Sequence, residues 1–385
     1  MWRVSTNAMP LLLFSLVLHA YLGLRLLPAL AAWPWAQAGL GLLLAVSMVL
    51  TPLALTARRI KSPVLADRVA WTGMLFMGLF SSLFVLTLLR DAALLAGWLV
   101  LAIAPGALSG TAFAAASAWS AAAVAALGLL MTFFGFFNAR RTAAVVRVDV
   151  PITGLPDTLH GFSIAQISDI HVGPTIKRGY LQAIVNVVNK LEVDMVAVTG
   201  DLVDGTVADL APHVAPLAGL SSTHGTYFVT GNHEYYSGAH AWIAELRRLG
   251  IHVLMNEHVV LQHGLVLAGV ADWSAGHFDS SHRSDPHAAL AGAPAAAPVR
   301  LLLAHQPRSA VEAQKAGFDL QLSGHTHGGQ FWPWNFFVRF QQPFTAGLHR
   351  LTSLWVYTSR GTGYWGPPKR FGAPSEITRL RLVSA

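Results

Sequence analysis

No cysteine occurs anywhere in the chain, which excludes disulfide staples, thiolate nucleophiles and thiolate metal ligands, and leaves the redox compartment open. Charge is scarce as well: Asp, Glu, Lys and Arg make up 12% of the residues, about half the usual share for a soluble protein. Acidic side chains are rarest where the chain starts. Of the 19 Asp and Glu residues only Asp67 and Asp91 fall within residues 1–139, against seven of the 26 Lys and Arg residues. The formal charge of +7 thus comes mostly from an apolar stretch. No basic run offers the footprint of a nucleic-acid-binding protein, so nucleic acid is not expected among the partners.

What the first third has is apolar length. A helix that spans a bilayer needs about 20 mainly apolar residues. The stretches 10–30, 35–55, 69–89 and 112–137 qualify, so residues 1–139 are expected to form a multi-span transmembrane region of about four helices. Residues 92–104 are too short for a fifth span and read as an interfacial or re-entrant piece. Ala29-Leu30-Ala31 resembles a signal-peptide cleavage site, but Arg25 interrupts the apolar run and further spans follow, so the first helix is expected to be retained. The second connection holds Arg58, Arg59, Lys61 and Arg68, and Arg140, Arg141 and Arg147 follow the fourth span. With positive charge retained inside, this predicts a multi-pass protein of the inner (plasma) membrane whose second half is cytoplasmic. Within the first span, Arg25 is expected to snorkel to the interface and His19 to bond to a neighbouring helix. Trp33, Trp35 and Trp119 read as interfacial anchors.

After a linker at residues 140–160, the remaining residues 161–385 have the texture of an α/β domain. Short apolar runs at 162–167, 195–198, 227–229, 266–268, 301–304 and 320–322 end in polar or glycine-containing turns. Helix-like stretches at 180–191, 239–249 and 310–317 lie between several of them. Such alternation implies crossover units and a largely buried sheet, with ligands outside the carboxyl ends of the strands. Residues 288–298, rich in Ala and Pro, read as a surface loop.

The turns after these strands carry the chemistry. The first is followed by Asp169-Ile170-His171, the second by Gly200-Asp201 and the third by Gly231-Asn232-His233-Glu234. His305 ends a later strand, and Gly324-His325-Thr326-His327 follows the last. Each piece alone is weak. Five in order, each after a strand, place a set of imidazoles and carboxylates on one sheet edge. Imidazole and carboxylate without thiolate suit Mn, Fe or Zn. A mononuclear centre needs three or four ligands; a carboxylate-bridged pair of metals uses all seven on offer.

The order D-x-H, GD, GNHE, H, GHTH resembles the calcineurin-like metallophosphoesterase superfamily over roughly residues 162–376. The resemblance implies an α-helical transmembrane region followed by an α/β metallophosphoesterase domain, β-sheets sandwiched by helices, and two divalent metal ions as cofactors. It implies that Asp169, His171 and His327 hold the first ion, that Asp201 bridges, and that Asn232, His305 and His325 complete the second. His233 would sit over the leaving-group oxygen, oriented by Asp204. The expected activity is two-metal hydrolysis of a phosphodiester or pyrophosphate.

The multi-span start, GHTHGGQ and the tail SRGTGYWGPPKRFGAPSEIT resemble a membrane-associated bacterial branch of the superfamily. Some members are similar to enzymes that hydrolyse UDP-2,3-diacylglucosamine, which implies a lipid-linked phosphoester substrate and the lipid bilayer as partner. An aromatic run at 331–340 either dips into the headgroup layer or covers the sheet or the helical bundle. Arg360, Lys369 and Arg370 are candidate contacts to substrate phosphate or solvated loop positions, Gly361 and Gly363 are expected to allow a tight loop facing the cleft, and Asp272 is a candidate pocket residue. The alternatives are a membrane-anchored phosphoesterase for soluble substrates and a non-enzymatic membrane binding or signalling module.

Overall fold

The computed structural model describes residues 8–104 and 109–385, which fall into two units. A helical unit runs to Phe137 and includes Gly366–Lys369; an α/β unit holds Asn138–Trp365 and Arg370–Ala385.

The helical unit contains α1 (Ala8–Leu26), α2 (Pro34–Thr56), α3 (Pro63–Ile103) and α4 (Gly110–Arg140). All four are long and apolar enough to cross a membrane. Proline stands at the first turn of α2 and of α3, where its missing N–H leaves no helical bond unmade. The expectation for residues 92–104 is corrected: all but Ala104, which caps the end, continue α3, an unbroken helix of 41 residues. At 1.5 Å per residue it is about 60 Å long, roughly twice a bilayer's hydrocarbon thickness. The Arg90–Asp91 pair looks like an interruption in sequence, but it is neutralised inside the bundle. Asp91 accepts from Arg25 Nε and Nη2 at 2.8 and 3.0 Å and from the Tyr21 hydroxyl at 2.7 Å. Arg90 donates to the hydroxyls of Ser117 and Ser120, both at 3.0 Å. Arg25, whose side chain stays about half exposed, pairs with Asp91.

His19 bonds as expected: its Nδ1–H donates to the Ser15 carbonyl at 2.8 Å and its Nε2 accepts from Ser47 on α2 at 2.9 Å. Trp35 is 92% exposed, as an anchor should be, whereas Trp33 and Trp119 pack edge-to-face at 4.9 Å. Lys369 is a second correction. It is neither a phosphate contact nor solvated: its buried ammonium donates to the Gly78 carbonyl, Ser82 and Thr132 at 2.8, 2.5 and 3.2 Å.

In the α/β unit, the stretch expected as linker carries β1 (Ala144–Ile152). There follow β2 (Ser163–Ile167), α5 (Arg178–Asn189), β3 (Met195–Val198), α6 (Val207–Val214), β4 (Thr226–Phe228), α7 (Asn232–Ser237), α8 (Ala239–Arg248) and β5 (His252–Val253). The rest comprises β6 (Glu257–Val260), β7 (Val266–Gly269), α9 (Pro286–Ala289), β8 (Arg300–Leu303), α10 (Ala310–Ala316), β9 (Leu320–Ser323), β10 (Gly347–Leu351), β11 (Leu354–Thr358) and β12 (Glu376–Ser384). They build two six-stranded sheets, ordered β1-β12-β2-β3-β4-β5 and β10-β11-β9-β8-β7-β6.

Alternation along the strands creates three apolar layers. Ile164, Met195 and Tyr227 of the first sheet meet Leu267, Leu301 and Leu320 of the second in the central core. Ala165, Ile167 and Val196 face outward onto α5, α6 and α8. Ala268, Leu302 and Val356 face α9 and α10 on the opposite side. The result is the expected pair of sheets sandwiched by helices. Because β2, β3 and β4 run parallel, as do β7, β8, β9 and β11, their carboxyl ends open towards shared edges.

Candidate metal centre

The segments leaving β2, β3, β4, β8 and β9 converge. Asp169, His171 and His327 present ligand atoms within 4.8 Å of one another, and so do Asp201, His305 and His325; His171, Asp201 and His233 form a third such group. Asp201 belongs to the second and third of these groups, and His171 joins the third to the first. Its Oδ2 lies 3.2 Å from His305 Nε2, 3.9 Å from His171 Nε2 and 4.0 Å from His233 Nε2. His327 Nε2 lies 3.6 Å from Asp169 Oδ1.

The backbone is bent to achieve this. Asp169, His171, Asp201, His325 and His327 all have φ between +51° and +70°, a left-handed conformation that costs a non-glycine residue about 1–3 kcal/mol. Neighbouring turns hold it in place: the Asp169 N–H donates to the Gly200 carbonyl at 3.0 Å and the His171 N–H to the Asp201 carbonyl at 3.1 Å. The His325 N–H donates to the Asp169 carboxylate at 2.9 Å. Glycine is required at two of the motif positions by contact. A Cβ on Gly231 would collide with the Asp201 carboxylate, and one on Gly324 with Ser168 and the Asp169 carboxylate.

Three of the imidazoles have a partner at the outer nitrogen. His305 Nδ1–H donates to the Thr199 carbonyl at 2.7 Å, and His171 Nδ1 lies 3.2 Å from Asp204 Oδ1. The Arg370 guanidinium lies 2.9 Å from His327 Nδ1 and donates to the His327 carbonyl at 2.8 Å. A carbonyl or carboxylate at the outer nitrogen fixes ring orientation in metal sites, whereas the Arg370 guanidinium can only donate to His327 Nδ1. Inside, His171 Nε2 faces His327 Nε2 at 3.0 Å, and His325 Nδ1 faces His305 Nε2 at 3.2 Å. Two ring nitrogens at that distance repel unless a proton or a cation lies between their lone pairs. The Asn232 carboxamide oxygen is buried with no hydrogen-bond partner, an arrangement that wastes an acceptor unless a cation takes it. All the donors are nitrogen or oxygen, a set that suits Mn, Fe or Zn.

His233 stands at the rim. Its Nδ1 lies 2.5 Å from Asp204 Oδ1, its backbone N–H donates to Asp201 at 2.9 Å, and its ring packs edge-on at 5.2 Å from Tyr236 and 5.7 Å from Trp365. Burial disfavours charge on the ring, but the Asp204 hydrogen bond and the Asp201 charge outweigh it and raise its pKa to about 9. Asp204 is held well below the usual carboxylate range: burial opposes its charge, and the His171 and His233 rings overcome that. Burial and the neighbouring His305 bring His325 down to about 3. Asp204 was expected to serve His233 alone and in fact lies between two rings.

Several tail and pocket expectations are corrected. Arg370 is completely buried and binds backbone carbonyls as well as His327, so its guanidinium is not exposed to meet a phosphate. Arg360 pairs with the buried Glu376 at 2.9 Å. Asp272 is buried, accepting from Ser274 and Gln306. Gly361 and Gly363 do form the tight loop: a Cβ on either would press on Asp169 and His327 or on the Ile170 backbone. The aromatic run forms two 3₁₀ turns, Trp334–Phe336 and Val338–Phe340. Phe336, Phe337 and Phe340 are 54%, 53% and 75% exposed, so they do not cover the sheet.

Two supporting roles, those of Glu234 and Arg370, escaped the sequence reading. Glu234 is fully buried and accepts from the N–H groups of Gly231, Asp201 and Leu202 at 2.6, 3.0 and 2.8 Å, tying the β3 and β4 turns together. Its place at the third position of α7, reaching back to the residue before the helix, is a recognisable capping signal. Arg370 had no such local signal.

Comparison with known proteins places this arrangement. The sequence profile of the calcineurin-like phosphoesterases matches residues 162–329. The chain is 38% identical over 267 residues to a transmembrane protein with metallophosphoesterase domain from Danio rerio, and 41% identical over 271 residues to the protein of that name from Bos taurus. Each match covers 66% of this chain and 61% of the relative, so the chain spans about three-fifths of those proteins' length. An uncharacterized metallophosphoesterase from Helicobacter pylori strain J99 is 38% identical over 260 residues, covering 67% of this chain and 69% of that one.

Proposed function

The chain belongs to the calcineurin-like phosphoesterase family, and on that premise we propose that it is a membrane-anchored hydrolase that cuts a phosphodiester or pyrophosphate bond in a lipid-linked substrate with two divalent ions. Metal-dependent hydrolysis of a phosphoester and association with a membrane are properties of the family and of the four apolar helices. The ligand assignment, the catalytic roles and the substrate are our reading.

One arrangement carries the assignment: Asp201 Oδ2 lies 3.2 Å from His305 Nε2 and 3.9 Å from Nε2 of His171, which itself groups with Asp169 and His327, and the Asn232 carboxamide oxygen is buried with no hydrogen-bond partner. Asp169, His171 and His327 would hold one ion, Asn232, His305 and His325 the other, and Asp201 both. When bound, two such ions neutralise phosphoryl oxygens and lower the pKa of water so that it can act as a nucleophile. The protein's own tasks are then orientation and proton transfer. Phosphoryl transfer needs charge stabilisation and positioning more than covalent help. His233, with Nδ1 held by Asp204, presents Nε2 as the donor to the departing oxygen.

The lipid-linked substrate is supported by Phe336, Phe337 and Phe340, which are exposed a few residues after His327 in a chain that also carries four membrane-length helices. Four crossings with basic residues at 58, 59, 61, 68, 140, 141 and 147 favour a cytoplasmic α/β unit at the inner membrane. The test uses the full chain in mixed micelles with UDP-2,3-diacylglucosamine and a water-soluble chromogenic phosphodiester. The lipid-linked compound is expected to have the higher kcat/KM, and Phe337→Ser with Phe340→Ser to erase that preference while leaving the soluble reaction intact. Preference for the soluble ester, or a preference untouched by the double variant, would favour a soluble substrate instead.

A further inference from the structure

A second convergence of metal-ligating side chains lies outside the centre. His240, at the start of α8, and Asp279 and His282, in the segment between β7 and α9, present ligand atoms within 4.8 Å of one another. His240 Nε2 is 2.9 Å from Asp279 Oδ2, and the two imidazole rings are 4.7 Å apart. Two imidazoles and a carboxylate with no thiolate form a donor set for a borderline divalent ion.

The outer atoms of this trio are tied down as those of metal ligands usually are. Asp279 Oδ1 accepts from both the N–H and the hydroxyl of Ser281, at 2.9 and 2.6 Å, which leaves Oδ2 for an inward role. His282 Nδ1 is engaged by the Tyr235 hydroxyl at 3.0 Å, so Nε2 is the nitrogen left to bind. A plain surface hydrogen bond between His240 and Asp279 would not explain the second imidazole, which lies tilted against the first and is itself held by Tyr235. We propose that His240, Asp279 and His282 form a third metal site, separate from the binuclear centre, that takes one zinc-like divalent ion with solvent completing its coordination.

Its position gives the ion a task. Tyr235, which holds His282, and Tyr236, which packs on His233, are consecutive residues of α7, and Phe278 packs on both tyrosines at 5.6 Å. An ion here would pin the 278–282 segment to the start of α8 and stiffen the aromatic rim beside His233. The side chains are accessible for loading: His240 is 75% and Asp279 28% exposed.

The test compares bound metal between variants of the full chain in detergent, stripped with chelator and dialysed to equilibrium against Zn²⁺. His240→Ala with His282→Ala is expected to bind one zinc fewer per chain than wild type. His263→Ala with His349→Ala, which removes two exposed imidazoles elsewhere, is expected to bind as much as wild type. Asp279→Asn, at an accessible position, should repeat the loss without removing an imidazole. Equal zinc in wild type and the His240/His282 variant would overturn the proposal. So would an equal loss in the His263/His349 control, since the ion would then be held by exposed histidines at large. Because the result is a difference between proteins, it does not depend on how many ions the binuclear centre takes.

Discussion

In the helical unit, Tyr21, Arg25, Arg90 and Asp91 satisfy one another with hydrogen bonds of 2.7–3.4 Å, and serines complete the set. In the α/β unit, Asp169, Asp201, His171, His305 and His327 are more deeply buried; His171 faces His327 and His325 faces His305 nitrogen to nitrogen, most of the set sits on backbone held at positive φ, and the Asn232 carboxamide oxygen is buried with no hydrogen-bond partner. The first cluster is complete as it stands, and the second becomes complete when it holds cations. Burying charge is therefore not by itself a mark of function; burying it uncompensated is.

Three changes break or sharpen that contrast. The largest effect is expected from His233→Ala, which removes the proposed proton donor and leaves the proposed ligand set intact. It should lower kcat by about 10²–10⁴ with bound metal unchanged. Loss of metal together with activity would instead make His233 a ligand. Next comes Arg370→Lys, which keeps the charge but loses the planar fork that spans His327 and the neighbouring carbonyls. Metal affinity in equilibrium dialysis should fall by about 10–100-fold, the usual effect of disturbing an outer partner. Unchanged affinity would make Arg370 a purely structural residue. The smallest functional effect belongs to Asp91→Asn in the helical unit. It should destabilise the chain in detergent by about 1–3 kcal/mol while activity per folded molecule stays the same. A loss of turnover in the folded variant would give the intramembrane cluster a role beyond stability.

What the sequence made legible divides along the same line. Buried parallel strands read as short apolar runs, so β2, β3, β7, β8 and β9 lie within a residue or so of their expected places. The candidate ligands directly follow β2, β3, β4, β8 and β9, which is why Asp169, His171, Asp201, Asn232, His305, His325 and His327 could be named, and the six Asp and His residues among them converge. The missing pieces depend on partners distant along the chain. β12 reads as a polar-apolar tail until it is inserted between β1 and β2. Lys369 and Arg370 are neighbours of equal charge, yet one is buried among helices and the other against His327. Residues 92–104 look like a separate piece only because the partners of Arg90 and Asp91, up to 70 residues away, cannot be read locally.

The central claim is that the buried Asp and His cluster is a metal-dependent hydrolytic centre. The most direct measurement strips the full chain of metal in detergent, resupplies Mn²⁺, and follows hydrolysis of a chromogenic phosphodiester, with His325→Ala treated identically. The account predicts no turnover when stripped, recovery on adding Mn²⁺, and no recovery in the variant. Turnover that survives stripping, or that His325→Ala recovers as fully as wild type, would contradict it.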